Sequence, residues 1–294
     1  MKLIDALLAK LRRLDTIEMR CERMQEALGR IEARQLAGAH QGDLRESEFR
    51  TFSQWGEDGI IQRLIRTVPI ERRLFVEFGV QDYSEANTRF LLLHDNWSGL
   101  VMDGDEANIE SIRRSDLFWR HNLKAHQAFI TRENIDELLR ANGVEGDIGL
   151  LSIDIDGNDY WVWEAISAIA PRIVIAEYNA RFGPQRSVTV PYDPAFARQR
   201  AHYSMIYYGA SLAALTRLGQ RKGYALVCCN SAGNNAFFVR RDCMPAGLSE
   251  HSAQTAYVAA AFREARDEQG RLQFLSPEEE ARLLDALPIV EVEA

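Results

Sequence analysis

Asp154, Asp156, Asn158 and Asp159 fall within six residues, directly after the apolar run Ile148-Gly149-Leu150-Leu151-Ser152-Ile153. Carboxylates can take up a proton, hold a hard cation, or accept hydrogen bonds from hydroxyl groups, so this spacing offers several chemistries in one place. Helix capping by Asp156 and Asn158 is the plain alternative, and it covers one or two of these side chains rather than four. Three more acids close apolar runs in the same way: Glu77 after Leu74-Phe75-Val76, Asp103 after Leu100-Val101-Met102, and Glu177 after Val174-Ile175-Ala176. An acid ending the second such run suits the two hydroxyls of a ribose, because one carboxylate can accept both hydrogen bonds. Gly79, two residues after Glu77, lets the backbone approach a ligand closely. The stretch Gly79-Val80-Gln81-Asp82-Tyr83 lacks the G-x-G-x-x-G spacing, and no G-x-x-x-x-G-K-[ST] loop occurs. A nucleoside ligand without pyrophosphate is therefore favoured.

The elements that must carry these acids read as alternating strands and helices. Continuous apolar runs end in acid at Glu77, Asp103, Asp154 and Glu177, with a weaker strand over Ala125–Ile130. Helical patterns intervene at Ile60–Ile65, Glu85–His94 after Ser84, Glu106–Arg114, Arg132–Ala141 and Trp161–Ile169. After helix Gly209–Lys222, the runs Tyr224–Cys229 and Ala236–Arg240 pair as a hairpin around Ser231-Ala232-Gly233-Asn234. This predicts an α/β fold with a doubly wound, mostly parallel sheet of seven strands and a terminal antiparallel strand. Its strand ends lie along one edge, where the acids converge on one crevice. Ser252–Arg266 and Pro277–Leu287 read as two further helices, the second begun by Ser276 with Pro277 at its first position.

Composition narrows the partners. With 294 residues, 46% hydrophobic and 27% charged, the chain can bury a full core. A formal charge of -8 disfavours nucleic acid. Cys21, Cys228, Cys229 and Cys243 show no metal-ligand spacing and read as reduced thiols. No secretory signal or membrane-length apolar run is evident, which makes the cytoplasm the expected location. From Leu3 to Gln35 apolar residues recur every three or four positions, with one irregular step between Leu14 and Ile17. That pattern predicts a coiled coil joining copies of the chain into a homo-oligomer; contact of Met1–Leu14 with a membrane surface and packing of the helix on its own domain are the less favoured alternatives. The expected organisation is a helix over 1–36, a linker over 37–50, a catalytic domain over 51–242 and a helical extension over 243–294.

Four segments taken in order carry a family resemblance: Ser53-Gln54-Trp55-Gly56-Glu57-Asp58, Val76-Glu77-Phe78-Gly79, Met102-Asp103-Gly104-Asp105, and Ser152-Ile153-Asp154-Ile155-Asp156-Gly157-Asn158-Asp159. Together they resemble the FkbM-type S-adenosylmethionine-dependent methyltransferases, a class I group, over about Phe52–Arg240. The resemblance implies a Rossmann-like domain and O-methylation, often of a sugar or other glycan. It also implies that Glu77 and Gly79 lie against the methionine part of S-adenosylmethionine, that Asp103 holds its ribose, and that Asp154 joins them in binding the cofactor. Gln81 and Tyr83 stand where many methyltransferases carry further glycine.

A second resemblance, to metal-dependent O-methyltransferases, implies that Asp154, Asp156, Glu177 and Asn179 hold Mg²⁺ against the substrate. An ion pair of Glu177 with Arg172 or Arg181 is the alternative. Asp154, Asp156, Glu177 and His202 are the candidate catalytic residues, His202 as a general base. The aromatic stretch Tyr178–Tyr208 reads as a lid suited to stacking on a sugar ring, with part of it in the core. A non-catalytic assembly module built on the same fold is the competing function.

Overall fold

The computed structural model describes residues 2–38 and 42–292. Its strands are β1 (Leu74–Phe78), β2 (Ser98–Asp103), β3 (Leu123–Gln127), β4 (Gly146–Ile153), β5 (Ile169–Glu177), β6 (Val188–Thr189), β7 (Tyr224–Cys229), β8 (Asn235–Arg240) and β9 (Val290–Glu291). Seven of them form a sheet in the order β3-β2-β1-β4-β5-β8-β7, and β6 pairs with β9 separately. The first five are mutually parallel, while β8 runs antiparallel to both β5 and β7. The antiparallel strand is thus last in chain order yet second from the edge in space.

The continuous apolar runs have a direct physical cause. Val76, Leu100, Leu151, Val174 and Phe238 pack into a core on one face. Their neighbours Phe75, Val101, Leu150, Ile173 and Phe237 pack into a second core on the other. A strand covered on both sides has no solvent face on which to place polar residues. The register sets Phe78 beside both Met102 and Ile153, and Ile153 beside Ala176. Glu77, Asp103, Asp154 and Glu177 consequently reach the same edge of the sheet.

Two expected helices are much shorter than the sequence pattern suggests. In place of Glu85–His94 only Arg89–Leu93 is helical, because the Glu77 carboxylate binds Asn87 N (2.8 Å) and Thr88 N (3.0 Å) and holds residues 79–88 as a loop. In place of Ser252–Arg266 only Ala253–Ala256 is helical. Beyond it the chain bonds to distant backbone instead of itself: Ala261 N to Ala232 O at 2.8 Å and Arg266 N to Ser204 O at 3.0 Å. The last helix, Pro277–Asp285, forms as expected, with a reciprocal capping box between Ser276 and Glu279.

The N-terminal helix spans Lys2–Gln35. One face lies on the domain, where Gln25 donates to Thr51 O, Arg89 pairs with Glu22 and Arg66 donates to Ala33 O. Part of the expected linker, residues 39–41, lies outside the described residues. The rest is packed, with Arg63 donating to Gly42 O at 2.8 Å and Asp43 O at 2.9 Å. Among the described residues no helix is long and apolar enough to cross a membrane.

Candidate active site

The turn after β4 places its acids in two distinct roles. Asp159 folds back and accepts from Ile155 N and Gly157 N, both at 2.9 Å. Burial pushes its carboxyl up to about 6. Asn158 donates to Asp193 O at 2.8 Å and is buried. These two build the turn, as capping-type residues do, whereas Asp154 and Asp156 line the cleft beside it. Asp156 is held at φ 56, in the left-handed region that aspartate and asparagine enter more readily than other side chains.

Asp154, Asp156 and Glu177 each offer a carboxylate oxygen, and the three oxygens lie within 4.8 Å of one another. Glu177 is only 7% exposed, and its Oε2 has no hydrogen-bond partner. Burial, with repulsion from the neighbouring acids, raises the carboxyls of both Asp154 and Glu177 well above the ordinary range. Arg198 opposes that rise. Its Nη1 meets Asp156 Oδ1 at 2.8 Å, its other nitrogen pairs with Glu264, and its guanidinium lies 3.8 Å from the Tyr208 ring centre. Three carboxylates against one adjacent cation leave the cluster with excess negative charge when ionised.

A cleft opens beside this cluster in two lobes that share Gly79, Gln81 and Asp154; Asp156 lines one of them and Glu177 neither. One, of about 120 Å³, is lined by Gln54, Glu77, Ser84, Asn87 and Asn235. The other, of about 170 Å³, is lined by Asp103, Phe129, Ile130, Ile155 and Phe196. Gly79 sits between them for a steric reason the sequence does not reveal. At φ 71, a Cβ there would lie 1.6 Å from the Asp154 carbonyl oxygen, so glycine is required by β4 itself. Asp103 accepts from Gln81 N (2.8 Å), Asp105 N (2.8 Å) and Asn108 Nδ2 (3.1 Å), which fixes the loop after β1 against β2. Glu77 lines the first lobe while holding that loop, and burial lifts its carboxyl to about 7. A larger cavity of about 360 Å³, lined by residues including Arg63, Cys228 and His251, shares no residue with this edge.

Several of the expected site residues have other partners. Asn179 is fully buried, and its amide donates to Ile206 O (2.8 Å) and Tyr208 O (3.1 Å) while its oxygen accepts from Arg181 N. These bonds tie its amide into the scaffold behind the site. His202 bonds Ser204 Oγ at 2.7 Å through Nδ1, and burial alone lowers its pKa, with no carboxylate acting on it. Neither arginine expected beside Glu177 is there. Arg172 pairs with Asp147 and Glu71, and Arg181 with Glu264 and Glu280. Phe182, Tyr207 and Tyr208 are buried, the first two within a satellite core, so much of the aromatic stretch is structural.

The site also holds residues that the sequence did not announce. Glu264 bridges Arg198 and Arg181 and accepts from Tyr208 OH at 3.1 Å. Two residues before it, Phe262 stacks on Trp55 with ring centres 5.2 Å apart. Tyr257 OH donates to Ala180 O, and Tyr178 OH to Val258 O, each at 2.8 Å. Residues 257–266 therefore form a wall along the acidic edge. The chemical-looking motif near Phe52 is structural: Asp58 Oδ2 accepts from Thr51 N, Phe52 N and Ser53 N, and Glu57 Oε1 from Asn230 and Asn235.

No protein-family model matches the sequence, and no curated protein matches it. Solved structures do align with it at low similarity. The N-terminal domain of EvdMO1, crystallised in the presence of SAH and D-fucose, is 12% identical with a TM-score of 0.41, covering 63% of this chain and 82% of that one. A S-adenosylmethionine-dependent methyltransferase from Clostridium acetobutylicum is 8% identical with a TM-score of 0.38, covering 62% and 89%. The O-methyltransferase from Bacillus cereus in complex with SAH is 15% identical with a TM-score of 0.33, covering 56% and 72%.

Proposed function

We propose that the protein is an S-adenosylmethionine-dependent O-methyltransferase of FkbM type, acting on a hydroxyl of a sugar, glycan or secondary-metabolite acceptor. The observation that carries this reading is the two-lobed cleft astride Gly79, with a ribose-type acid, Asp103, in one lobe and Asp154, the member of the acidic cluster common to both lobes, between them. The lobe beside Phe129, Ile130 and Phe196 offers an apolar slot for a flat base. The lobe beside Glu77, Ser84 and Asn87 offers polar groups for an amino-acid tail. A sulfonium donor is positively charged and already activated, so the chain's task is to bring an alcohol oxygen in line with the methyl carbon and take away its proton. Asp154, whose carboxyl burial and the neighbouring acids raise well above the ordinary carboxylate range, lines both lobes and is the group placed to accept that proton.

The same cluster fits a divalent cation. Oxygens on opposite sides of one Mg²⁺ stand about 4 Å apart, close to the span of these three, and the orphan Glu177 Oε2 is the kind of ligand it takes. A metal held by Asp154, Asp156 and Glu177 would lower the pKa of the acceptor hydroxyl. Transfer of labelled methyl from S-adenosylmethionine to a panel of sugar acceptors tests the function, with and without EDTA. Activity that survives EDTA unchanged removes the metal and leaves the carboxylate route.

One observation favours the competing, non-catalytic reading. Asp103 already accepts three hydrogen bonds of the roughly four a carboxylate can take, leaving little capacity for a ribose. Calorimetry with S-adenosylmethionine separates the two readings: no heat of binding at millimolar ligand refutes the methyltransferase.

A further inference from the structure

From Leu14 onward the N-terminal helix carries a regular seam. Leu14, Ile17, Cys21, Met24, Leu28 and Ile31 follow one another at steps of three, four, three, four and three, which is the spacing of heptad positions a and d. All six are exposed: Cys21 as a free thiol, and the other five with between 49% and 63% of their surface open. The chain's own domain does not cover them: it lies against positions b and f, with Gln25 at position e on its margin donating to Thr51 O. Gly29 and Ala33, at positions b and f, are the buried ones, and a Cβ on Gly29 would stand 2.2 Å from Thr51 Oγ1.

The flanking charges identify what covers the seam. Positions g read Arg13, Arg20, Ala27 and Arg34, and positions e read Glu18, Gln25 and Glu32. In an antiparallel pair g faces g and e faces e, which sets arginine against arginine and glutamate against glutamate. In a parallel pair g faces e of the next heptad, which sets Arg13 against Glu18, Arg20 against Gln25 and Ala27 against Glu32. Only the parallel arrangement of identical chains is free of like-charge contacts. Within the seam, positions a hold Leu14, Cys21 and Leu28, and positions d hold Ile17, Met24 and Ile31. Leucine at a with isoleucine at d favours bundles of three or four strands over two.

We propose that the face from Leu14 to Ile31 joins three or four copies of this chain into a parallel, in-register helical bundle, with the catalytic domains outside it on the b and f faces. The proposal is independent of the chemistry at the sheet edge. An in-register bundle brings the Cys21 thiols of neighbouring copies into one layer, whereas antiparallel packing sets Cys21 opposite Met24.

Light scattering on the full chain at micromolar concentration should give three or four times 33.4 kDa. A mild thiol oxidant such as diamide, which takes up the two electrons and two protons released by a pair of thiols, should yield a covalent dimer on a non-reducing gel. The dimer should be absent in Cys21→Ser, since Cys228, Cys229 and Cys243 are buried. Ile17→Glu with Leu28→Glu should give a monomer that keeps the far-ultraviolet dichroism of the folded chain, because both side chains are exposed on the single chain. Arg13→Glu, which places like charges together only in the parallel form, should lower the oligomer fraction. A monomeric or dimeric wild type overturns the proposal. So does an oligomer that fails to crosslink through Cys21, or one that Arg13→Glu strengthens.

Discussion

Replacing Glu177 by glutamine should stabilise the protein and disable it together. The side chain is 7% exposed, its Oε2 is unpartnered, and its oxygens lie within 4.8 Å of those of Asp154 and Asp156. At that separation two unit charges repel by on the order of 3 kcal/mol at an effective dielectric of 20. Arg198 offsets part of this. Glutamine keeps the shape and removes the repulsion, so about 1–2 kcal/mol of added stability is expected at pH 8 with metal chelated.

The sign follows from the direction of the shift. A carboxyl whose folded pKa is raised contributes stability in full below its unfolded value near 4.5, and loses it as the pH rises through the folded value. The wild type should therefore become more stable on going from pH 8 towards pH 5.5. The variant should show a shallower rise from a higher starting point. Urea unfolding at the two pH values in EDTA measures both. A variant less stable than wild type at pH 8, with the same pH slope, would refute the charge-crowding argument.

Gly79→Ala should cost several kcal/mol, about 1–2 from the left-handed backbone and about 1–3 from forcing β1 away from the Asp154 carbonyl. Calorimetry should show S-adenosylmethionine binding lost before the far-ultraviolet dichroism is. Asp156→Asn should lower turnover at least about a hundredfold with little change in cofactor affinity, as read from initial rates and calorimetry. Asp103→Ala should weaken S-adenosylmethionine by about 1.5–3 kcal/mol. It should also lower the melting temperature, since Gln81 N, Asp105 N and Asn108 lose their acceptor; unchanged affinity and melting would remove Asp103 from both roles.

The sheet and its acidic edge were legible because strands buried on both faces leave unbroken apolar runs, and the residue ending each run is marked by its charge. What each acid does was not legible. Glu57, Asp58, Glu77 and Asp159 look chemical in sequence, yet each accepts backbone or amide hydrogen bonds that shape a loop. Asp156 and Asp159, three residues apart, differ only in which way the turn points them. Arg198 and Glu264 carried no signal, since an ion pair between distant segments has no periodicity. Residues 257–266 read as helix because alanine-rich sequence favours one locally. Their backbone donors found partners in the 230–234 turn and at Ser204, and tertiary bonds outweighed propensity.

The wall formed by residues 257–266 has a consequence for how the molecule matures during synthesis. The main sheet finds its last pairing partner at Arg240, and both lobes of the cleft are lined by residues no later than Asn235. Phe262 and Glu264 leave the ribosome after all of them. A nascent chain thus possesses the cleft before it possesses the second anchor of Arg198, and until Glu264 arrives that guanidinium has Asp156 as its carboxylate partner. Completing the C-terminal segment gives Arg198 a second carboxylate partner while its 2.8 Å contact with Asp156 is kept.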